Sequence, residues 1–145
     1  MIRVMSAAIA FLTSAAAPPV EHIGEPVLNG QRLPFAKAVR AGDTLYLSGE
    51  LGIGADGSLP EGMEAQARQV MDNIGATLKS QGLGFGDLVK CTVMLDDMND
   101  WPAFNRVYVT YFPDGKFPAR SAFGADALAL GALVELECMA YAGKR

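Results

Sequence analysis

An arginine and two glutamates near the end of the chain are the residues with the clearest chemical potential. Arg120 follows Pro118 at the start of a strand-like segment, and Glu135 and Glu137 share one face of the next such segment. A guanidinium group binds a carboxylate through two parallel hydrogen bonds, and a glutamate can hold a proton or orient a water molecule. These residues predict a site that acts on a small molecule bearing a carboxylate.

Apolar periodicity predicts the elements that must position these side chains. In chain order they are a hairpin with strands at residues 36–39 and 44–50, a helix at 63–81, a strand at 88–95, a helix with Pro102 in its first turn, and strands at 119–125 and 132–142. The order ββαβαββ predicts a single α+β domain with one mainly antiparallel sheet and two helices on one face.

The last predicted strand carries apolar residues on both of its faces. Its even positions, from Val134 to Ala140, are all apolar and suit the helix layer, whereas its odd positions place Leu133, Met139 and Tyr141 around the two glutamates. So much apolar surface is rarely left in water. We therefore expect another subunit to cover this face, with the polar residues near the subunit boundaries.

Composition excludes several other kinds of site. The chain has 145 residues, a formal net charge of -4 and scattered basic residues, which argues against binding to a nucleic-acid backbone. His22 is the only histidine, so neither a multi-histidine metal site nor a Ser-His-Asp triad is predicted. Cys91 and Cys138 fit no metal-binding spacing and are expected to be two buried thiols, with a disulfide left open if the protein is exported.

The N-terminal residues form a separate unit. A basic start, a short apolar run and small residues over positions 1–17 are typical of a secretory signal peptide, with cleavage after Ala16. This interpretation predicts an exported or periplasmic protein without membrane attachment once the leader is removed; the alternative is an over-long gene start and a cytoplasmic protein. Residues 18–34 contain four prolines and are expected to form an extended arm before a domain at 35–145.

Several short motifs along the chain resemble those of one known family. They are Pro34-Phe35, Val39-Arg40-Ala41-Gly42, Leu47-Ser48-Gly49, Asp72-Asn73, Val89-Lys90, Asn105-Arg106-Val107-Tyr108, Pro118-Ala119-Arg120-Ser121 and the segment from Gly131 to Glu137. Their order and spacing resemble the reactive intermediate deaminase family, also called the Rid or YjgF family. The most specific piece is the Pro-Ala-Arg-Ser motif followed, fifteen residues after the arginine, by Glu135.

The resemblance implies a chorismate-mutase-like fold and a homotrimer with clefts between subunits. It also implies hydrolysis of reactive enamines and imines, such as 2-aminoacrylate and 2-imino acids, to 2-oxo acids and ammonia, with no metal or organic cofactor. In this chain Arg120 would bind the substrate carboxylate and Glu135 would position or activate water. Residues expected to line the cleft are Phe35, Ser48 and Asn105, with backbone from Ser121 and Ala122 nearby.

Some positions depart from the family pattern and change what the cleft would accept. Phe35 lacks the hydroxyl of the usual tyrosine, Glu50 replaces the usual glutamine, Ala122 replaces cysteine or threonine, and Lys37 departs from the common Gly-Pro-Tyr-Ser-Gln segment. Glu50 is either a second acid or a rim charge. Two further functions stay open: a ligand-binding or chaperone-like trimer without turnover, and an endoribonuclease or translation inhibitor.

Overall fold

The computed structural model describes residues 19–143, so the predicted leader at 1–17 lies outside the described residues. Within this range the chain forms an α+β fold. Its elements are β1 (Val20–Ile23), β2 (Val27–Leu28), β3 (Gln31–Arg32), β4 (Ala38–Ala41), β5 (Thr44–Leu47), β6 (Glu50–Leu51), α1 (Met63–Ser80), β7 (Leu88–Leu95), α2 (Trp101–Tyr108), β8 (Ala119–Gly124) and β9 (Val134–Tyr141).

One sheet organises the domain. Its strand order is β1-β4-β5-β9-β7-β8, with β6 also paired to β9, and β2 and β3 form a separate small hairpin. The pairs are antiparallel except for β7 with β8, which run parallel because α2 lies between them in the chain. Strand β9 is central, and β8, which carries Arg120, is at one edge.

The observed elements follow the predicted ββαβαββ order, with additions at the N-terminal side. Residues 18–34 were predicted to form an arm, but Val20–Ile23 pairs with β4 and extends the sheet before Phe35. The strand predicted at 44–50 is divided: β5 pairs with both β4 and β9, the ladder is interrupted after Leu47, and Glu50–Leu51 then resumes the pairing with β9. That break places residues 48–50 beside the start of β9.

The core lies between the sheet and the two helices. Five residues spaced along α1 form the predicted apolar stripe, and all are buried: Ala67, Val70, Met71, Ile74 and Leu78. In β9 the even positions are buried and the odd ones are half-buried or exposed, as the alternation predicted. Leu133 was expected on the outer face, but it precedes β9 and packs partly buried against the core, because its backbone N–H is held by the Gln66 side chain at 2.8 Å.

The two cysteines are buried as predicted, but they are not two free thiols. Cys91 on β7 and Cys138 on β9 are directly opposite each other, with their Cα atoms 4.1 Å apart, and their sulfurs form a disulfide. The expectation of two thiols was wrong, and the disulfide that the sequence left open is present; the pairing depends on strand register between residues 47 positions apart in sequence.

The outer face of the sheet, opposite the helices, combines aromatic rings with charged groups. Tyr46, Phe123 and Tyr141 are each more than 40% exposed there. Glu137 and Thr92 are paired across β9 and β7, and Ser121 follows next to Thr92 on β8. This is the face for which the sequence predicts cover by another subunit.

Candidate active site

A cavity of about 660 Å³ lies where β2, β6 and the start of β9 meet. Four of the residues predicted for the site line it: Phe35, Ser48, Glu50 and Glu135. The rest of its wall is largely apolar and includes Leu28, Leu33, Leu51, Ile53 and Leu130. The fold thus gathers two acidic side chains, a hydroxyl and an aromatic ring in one apolar depression.

Glu135 reaches this cavity through a close approach of two strands. It lies opposite Leu51 in the β6–β9 ladder, and its carboxylate lies directly against Gly49. A Cβ atom at position 49 would overlap the Glu135 Oε1 atom, so any residue larger than glycine would displace the carboxylate from this position. Partial burial and, next, the charge of Glu137 raise the pKa of Glu135 above its ordinary value.

Glu50 is the second carboxylate of the cavity, and it has a cationic neighbour. Its Oε1 atom lies 3.6 Å from Nζ of Lys37, which also lines the cavity. Burial raises the pKa of Glu50, and the charge of Lys37 partly opposes that effect. Glu50 therefore lines the cavity. The sequence had left open whether this residue is a second acid or a rim charge.

Polar groups around the cavity are mostly used to hold the backbone. Ser48 Oγ donates a hydrogen bond to the carbonyl of Ala36 at 2.7 Å. Asn73 Nδ2 on α1 donates to the carbonyls of Leu51 and Ile53, both at 3.0 Å. These bonds attach β6 and the following loop to α1, so the position of Glu50 does not depend on the short strand alone.

Arg120 does not line this cavity and lies on the helix side of the sheet. It is opposite Cys91 in the β7–β8 ladder, so its side chain points toward the helix layer. Its Cζ atom lies 4.5 Å from the ring centroid of Trp101 and 4.4 Å from that of Tyr108, both on α2. Stacking on aromatic faces suits the flat guanidinium group and limits its motion.

One end of this guanidinium has no protein partner in the part of the chain described. The Arg120 Nη1 atom is buried and makes no hydrogen bond among residues 19–143, and the same holds for the neighbouring Tyr108 hydroxyl. A buried donor of this kind costs free energy unless a partner reaches it. The arginine is thus rigidly held with a donor left over, as a group that receives an anion would be.

The remaining predicted residues also lie apart from the cavity. Ser121 is on the outer face, where its Oγ atom receives a hydrogen bond from Lys90 Nζ at 2.7 Å. Ala122 packs partly buried against the core, and Asn105 is half-buried on α2, the helix that holds Arg120. Each chain therefore carries two incomplete groups, one around Glu135 and one around Arg120.

Four residues that matter for this geometry were not among the predicted site residues. They are Lys37, Gly49, Trp101 and Tyr108. Lys37 could have been found, because it and Glu50 are both departures from the family pattern and have opposite charges. Gly49 and Tyr108 lie within the motifs quoted above, but their contacts, like those of Trp101, join distant segments, which local spacing does not report.

The described residues contain neither a metal-binding cluster nor a membrane-spanning helix. Over residues 19–143, no three His, Cys, Asp or Glu side chains come together in a way that could hold an ion. None of the helices in that range is both long and apolar enough to cross a bilayer.

Comparison with known proteins shows to which family the chain is related. Residues 30–142 match the family described as "Endoribonuclease L-PSP". The chain belongs to this family, which is the YjgF/Rid family. A protein from Capra hircus named 2-iminobutanoate/2-iminopropanoate deaminase is 45% identical over 112 residues, which cover 76% of this chain and 81% of the relative.

Solved structures of the family have the same fold. RidA from the Antarctic bacterium Psychrobacter sp. PAMC 21119 is 36% identical, with a TM-score of 0.75 over 83% of this chain and 98% of its own. Escherichia coli TdcF, solved with bound serine, is 28% identical, with a TM-score of 0.76 over 83% of this chain and 98% of its own. The α+β architecture with one sheet and two helices is therefore shared by the family.

Proposed function

We propose that the protein hydrolyses reactive enamines and imines derived from 2-amino acids, giving 2-oxo acids and ammonia. The observation that carries the proposal is Glu135, a carboxylate with a raised pKa, held against Gly49 in an apolar cavity. A carboxylate whose pKa is moved toward neutrality is suited to exchange protons with water. The name of the Capra hircus relative supports this reaction class.

The chemistry needs only water and proton transfers. An enamine first gains a proton on carbon and loses one from nitrogen, which converts it to the imine. Glu135 takes a proton from water as the water oxygen bonds to the imine carbon, and the C=N electron pair moves to nitrogen. Glu135 returns this proton to the nitrogen, which gives a carbinolamine. A second proton then passes from the carbinolamine hydroxyl to the nitrogen, and the C–N bond breaks as the C=O bond forms, so that ammonia leaves. An imine carbon is already electrophilic, so orientation supplies much of the rate.

Arg120 completes the proposed site by binding the substrate carboxylate. Its guanidinium is held by Trp101 and Tyr108 and keeps a buried donor that has no hydrogen-bond partner within residues 19–143. The serine bound to Escherichia coli TdcF is itself a ligand with a carboxylate. Charge-assisted bonds to a fixed guanidinium are strong and directional, which suits a substrate whose reacting carbon is next to its carboxylate.

We further propose that the two groups meet between subunits of a homotrimer with the chorismate-mutase-like arrangement. Arg120 does not line the cavity that holds Glu135, so one chain alone does not bring them together. The rings of Tyr46, Phe123 and Tyr141 are exposed on the outer face. Covering them with another subunit would remove this apolar surface from water. In such a trimer the Arg120 group of one subunit faces the Glu135 cavity of its neighbour.

The test is ammonia release from imino acids made in situ by an amino-acid oxidase. Arg120→Ala should lower kcat/KM by about 10²–10⁴-fold while the assembly stays intact, because two charge-assisted bonds are lost. Arg120→Lys should recover little, since an ammonium does not reproduce the fork. Glu135→Gln should keep the affinity for 2-oxo acids and slow turnover by about 10²–10⁴-fold.

Arg106→Ala is the matched control, because Arg106 on α2 pairs with Glu64 on the surface and lines no cavity named above. Full activity of Arg120→Ala would refute the assignment. If the wild type binds a 2-oxo acid through Arg120 but turns over no imine, the alternative of a ligand-binding trimer holds. Salt-dependent cleavage of RNA would instead favour the endoribonuclease named in the family's description.

A further inference from the structure

Lys37 and Glu50 form an ion pair in the wall of a cavity whose other lining residues are mostly apolar. Their charged atoms are 3.6 Å apart, and the Glu50 side chain keeps 20% of its surface exposed against 41% for Lys37. Leu28, Leu33, Phe35 and Leu130 are among the apolar residues that line the same cavity. Two opposite charges in such a place compensate each other, whereas either one alone would be poorly solvated.

The pair lies where the variable part of a substrate would extend. Lys37, Glu50 and Glu135 all line one cavity, and Glu50 is opposite Leu136, the residue that follows Glu135 in β9. With Glu135 at the reacting carbon and Arg120 of the neighbouring subunit on the carboxylate, the substrate side chain is the part left to occupy the rest of the 660 Å³. The side chain therefore meets the apolar wall and the ion pair.

We propose that the Lys37–Glu50 pair determines which substrate side chains this cavity accepts. While the pair is intact, its charges satisfy each other and the cavity selects imino acids with uncharged side chains. When one partner is neutralised, the other attracts a side chain of opposite charge. This inference rests on the proposed function, because it assigns a substrate class to the same site.

The long separation of the two charges gives the selection its physical basis. At 3.6 Å the ion pair is weaker than a close hydrogen-bonded pair, and Lys37 is partly hydrated. The Lys37–Glu50 pair excludes a charged substrate side chain if it is more favourable than a contact between one of its members and that side chain. The charged side chain would first have to lose its water, which costs free energy. A neutral side chain meets no such cost and gains from the apolar wall.

The experiment compares Lys37→Gln, Glu50→Gln and the double variant with the wild type. Imino acids are generated in situ from leucine, glutamate and arginine, and kcat/KM is measured from ammonia release above the spontaneous rate. Glu50→Gln should raise the preference for the glutamate-derived imine over the leucine-derived one by about 5- to 20-fold. Lys37→Gln should raise the preference for the arginine-derived imine by a similar factor, and the double variant should again prefer the neutral substrate.

Glu64→Gln is the matched control, since it breaks the surface pair with Arg106 by the same chemical change and should leave the order of substrates as in the wild type. Unchanged order in both single variants would overturn the inference while leaving the deaminase activity in place. If the wild-type protein hydrolyses none of the three imino acids, the proposed function itself is refuted.

Calorimetric binding of the corresponding three 2-oxo acids gives a second readout that needs no turnover. The single variants should change the order of affinities in the directions given above, and melting curves confirm that each variant is folded. An affinity order equal to that of the wild type, in folded variants, would also overturn the inference.

Discussion

Glu135 shows how one residue's chemistry is set by its immediate neighbours. Its carboxylate is partly buried, lies against Gly49 and has Glu137 two positions away on the same strand. Burial and like charge both disfavour the ionised form, so they act in the same direction on the pKa. The environment therefore keeps a proton on Glu135 to a higher pH than an exposed glutamate would.

Glu137→Gln tests this electrostatic link. Removing the neighbouring negative charge should lower the pKa of Glu135, so its carboxylate stays ionised, and able to take a proton from water, to a lower pH. The acidic limb of the kcat/KM profile for imine hydrolysis should move to lower pH, while the rate on the plateau changes little. Glu61→Gln, at an exposed acid that does not line the cavity, should leave the limb in place. A shift to higher pH in Glu137→Gln would contradict the assignment of Glu135 as the base.

Gly49→Ala tests the steric side of the same arrangement. The new Cβ would overlap the Glu135 carboxylate, which must then move from its position in the cavity. We expect turnover to fall by about 10²-fold or more, as for loss of a positioned general base, with the protein still folded. Gly84→Ala is the control, because no heavy atom lies within 4 Å of its Cβ position. Full activity of Gly49→Ala would show that the carboxylate does not need this position.

At the scale of elements, strand register determines what the chain brings together. The helix α1 and the strand β7 were predicted within one residue because their apolar periodicity is local. The disulfide between Cys91 and Cys138, the stacking of Arg120 on α2 and the break after Leu47 all depend on pairing between distant segments. Sequence periodicity reports which face a residue takes but not which residue lies opposite, so these features could not be predicted.

The disulfide gives a stability prediction. It closes a loop of 47 positions across the two central strands, and in the chain-entropy account this stabilises the fold by about 4 kcal/mol. Chemical denaturation of reduced wild-type protein should show a free energy of unfolding lower by about 2–4 kcal/mol than that of the oxidised form. Cys91→Ala/Cys138→Ala should show at least that loss, and equal stability of oxidised and reduced protein would contradict the prediction.

The disulfide also bears on where the protein folds. Structural disulfides form in oxidising compartments, and the leader-like residues 1–17 indicate the same destination. We therefore propose that the protein is exported. The intact mass of protein from its native cell, measured without reductant, tests both features. We expect a mass that corresponds to a disulfide and to an N-terminus near Ala17. A reduced protein that retains Met1 would refute export.

At the scale of the whole molecule, the separation of Arg120 from the Glu135 cavity is the central fact. One chain holds Arg120 on the helix side of the sheet, against α2, and Glu135 in the cavity where β6 meets β9. The sequence indicated both residues but not that they would lie apart, because the distance between β8 and the start of β9 depends on how the sheet is ordered. A trimer would turn the two incomplete groups of each chain into clefts shared between neighbours.

Mixed trimers test that arrangement. Arg120→Ala and Glu135→Gln subunits, each nearly inactive alone, are co-expressed in equal amounts, and the whole population of assemblies is purified through a tag that both subunits carry. If every cleft combines Arg120 of one subunit with Glu135 of the next, random mixing in equal amounts leaves roughly a quarter of the clefts intact. Imine hydrolysis should therefore return to roughly a quarter of the wild-type rate per cleft.

The control is wild type mixed in equal amounts with the double variant Arg120→Ala/Glu135→Gln. Shared clefts again predict roughly a quarter of the wild-type rate, whereas clefts built from a single chain predict roughly half. In the first mixture, single-chain clefts predict no recovery at all, because each subunit lacks one of the two groups. Recovery in the first mixture together with a quarter in the second is expected only when Arg120 and Glu135 act across a subunit boundary.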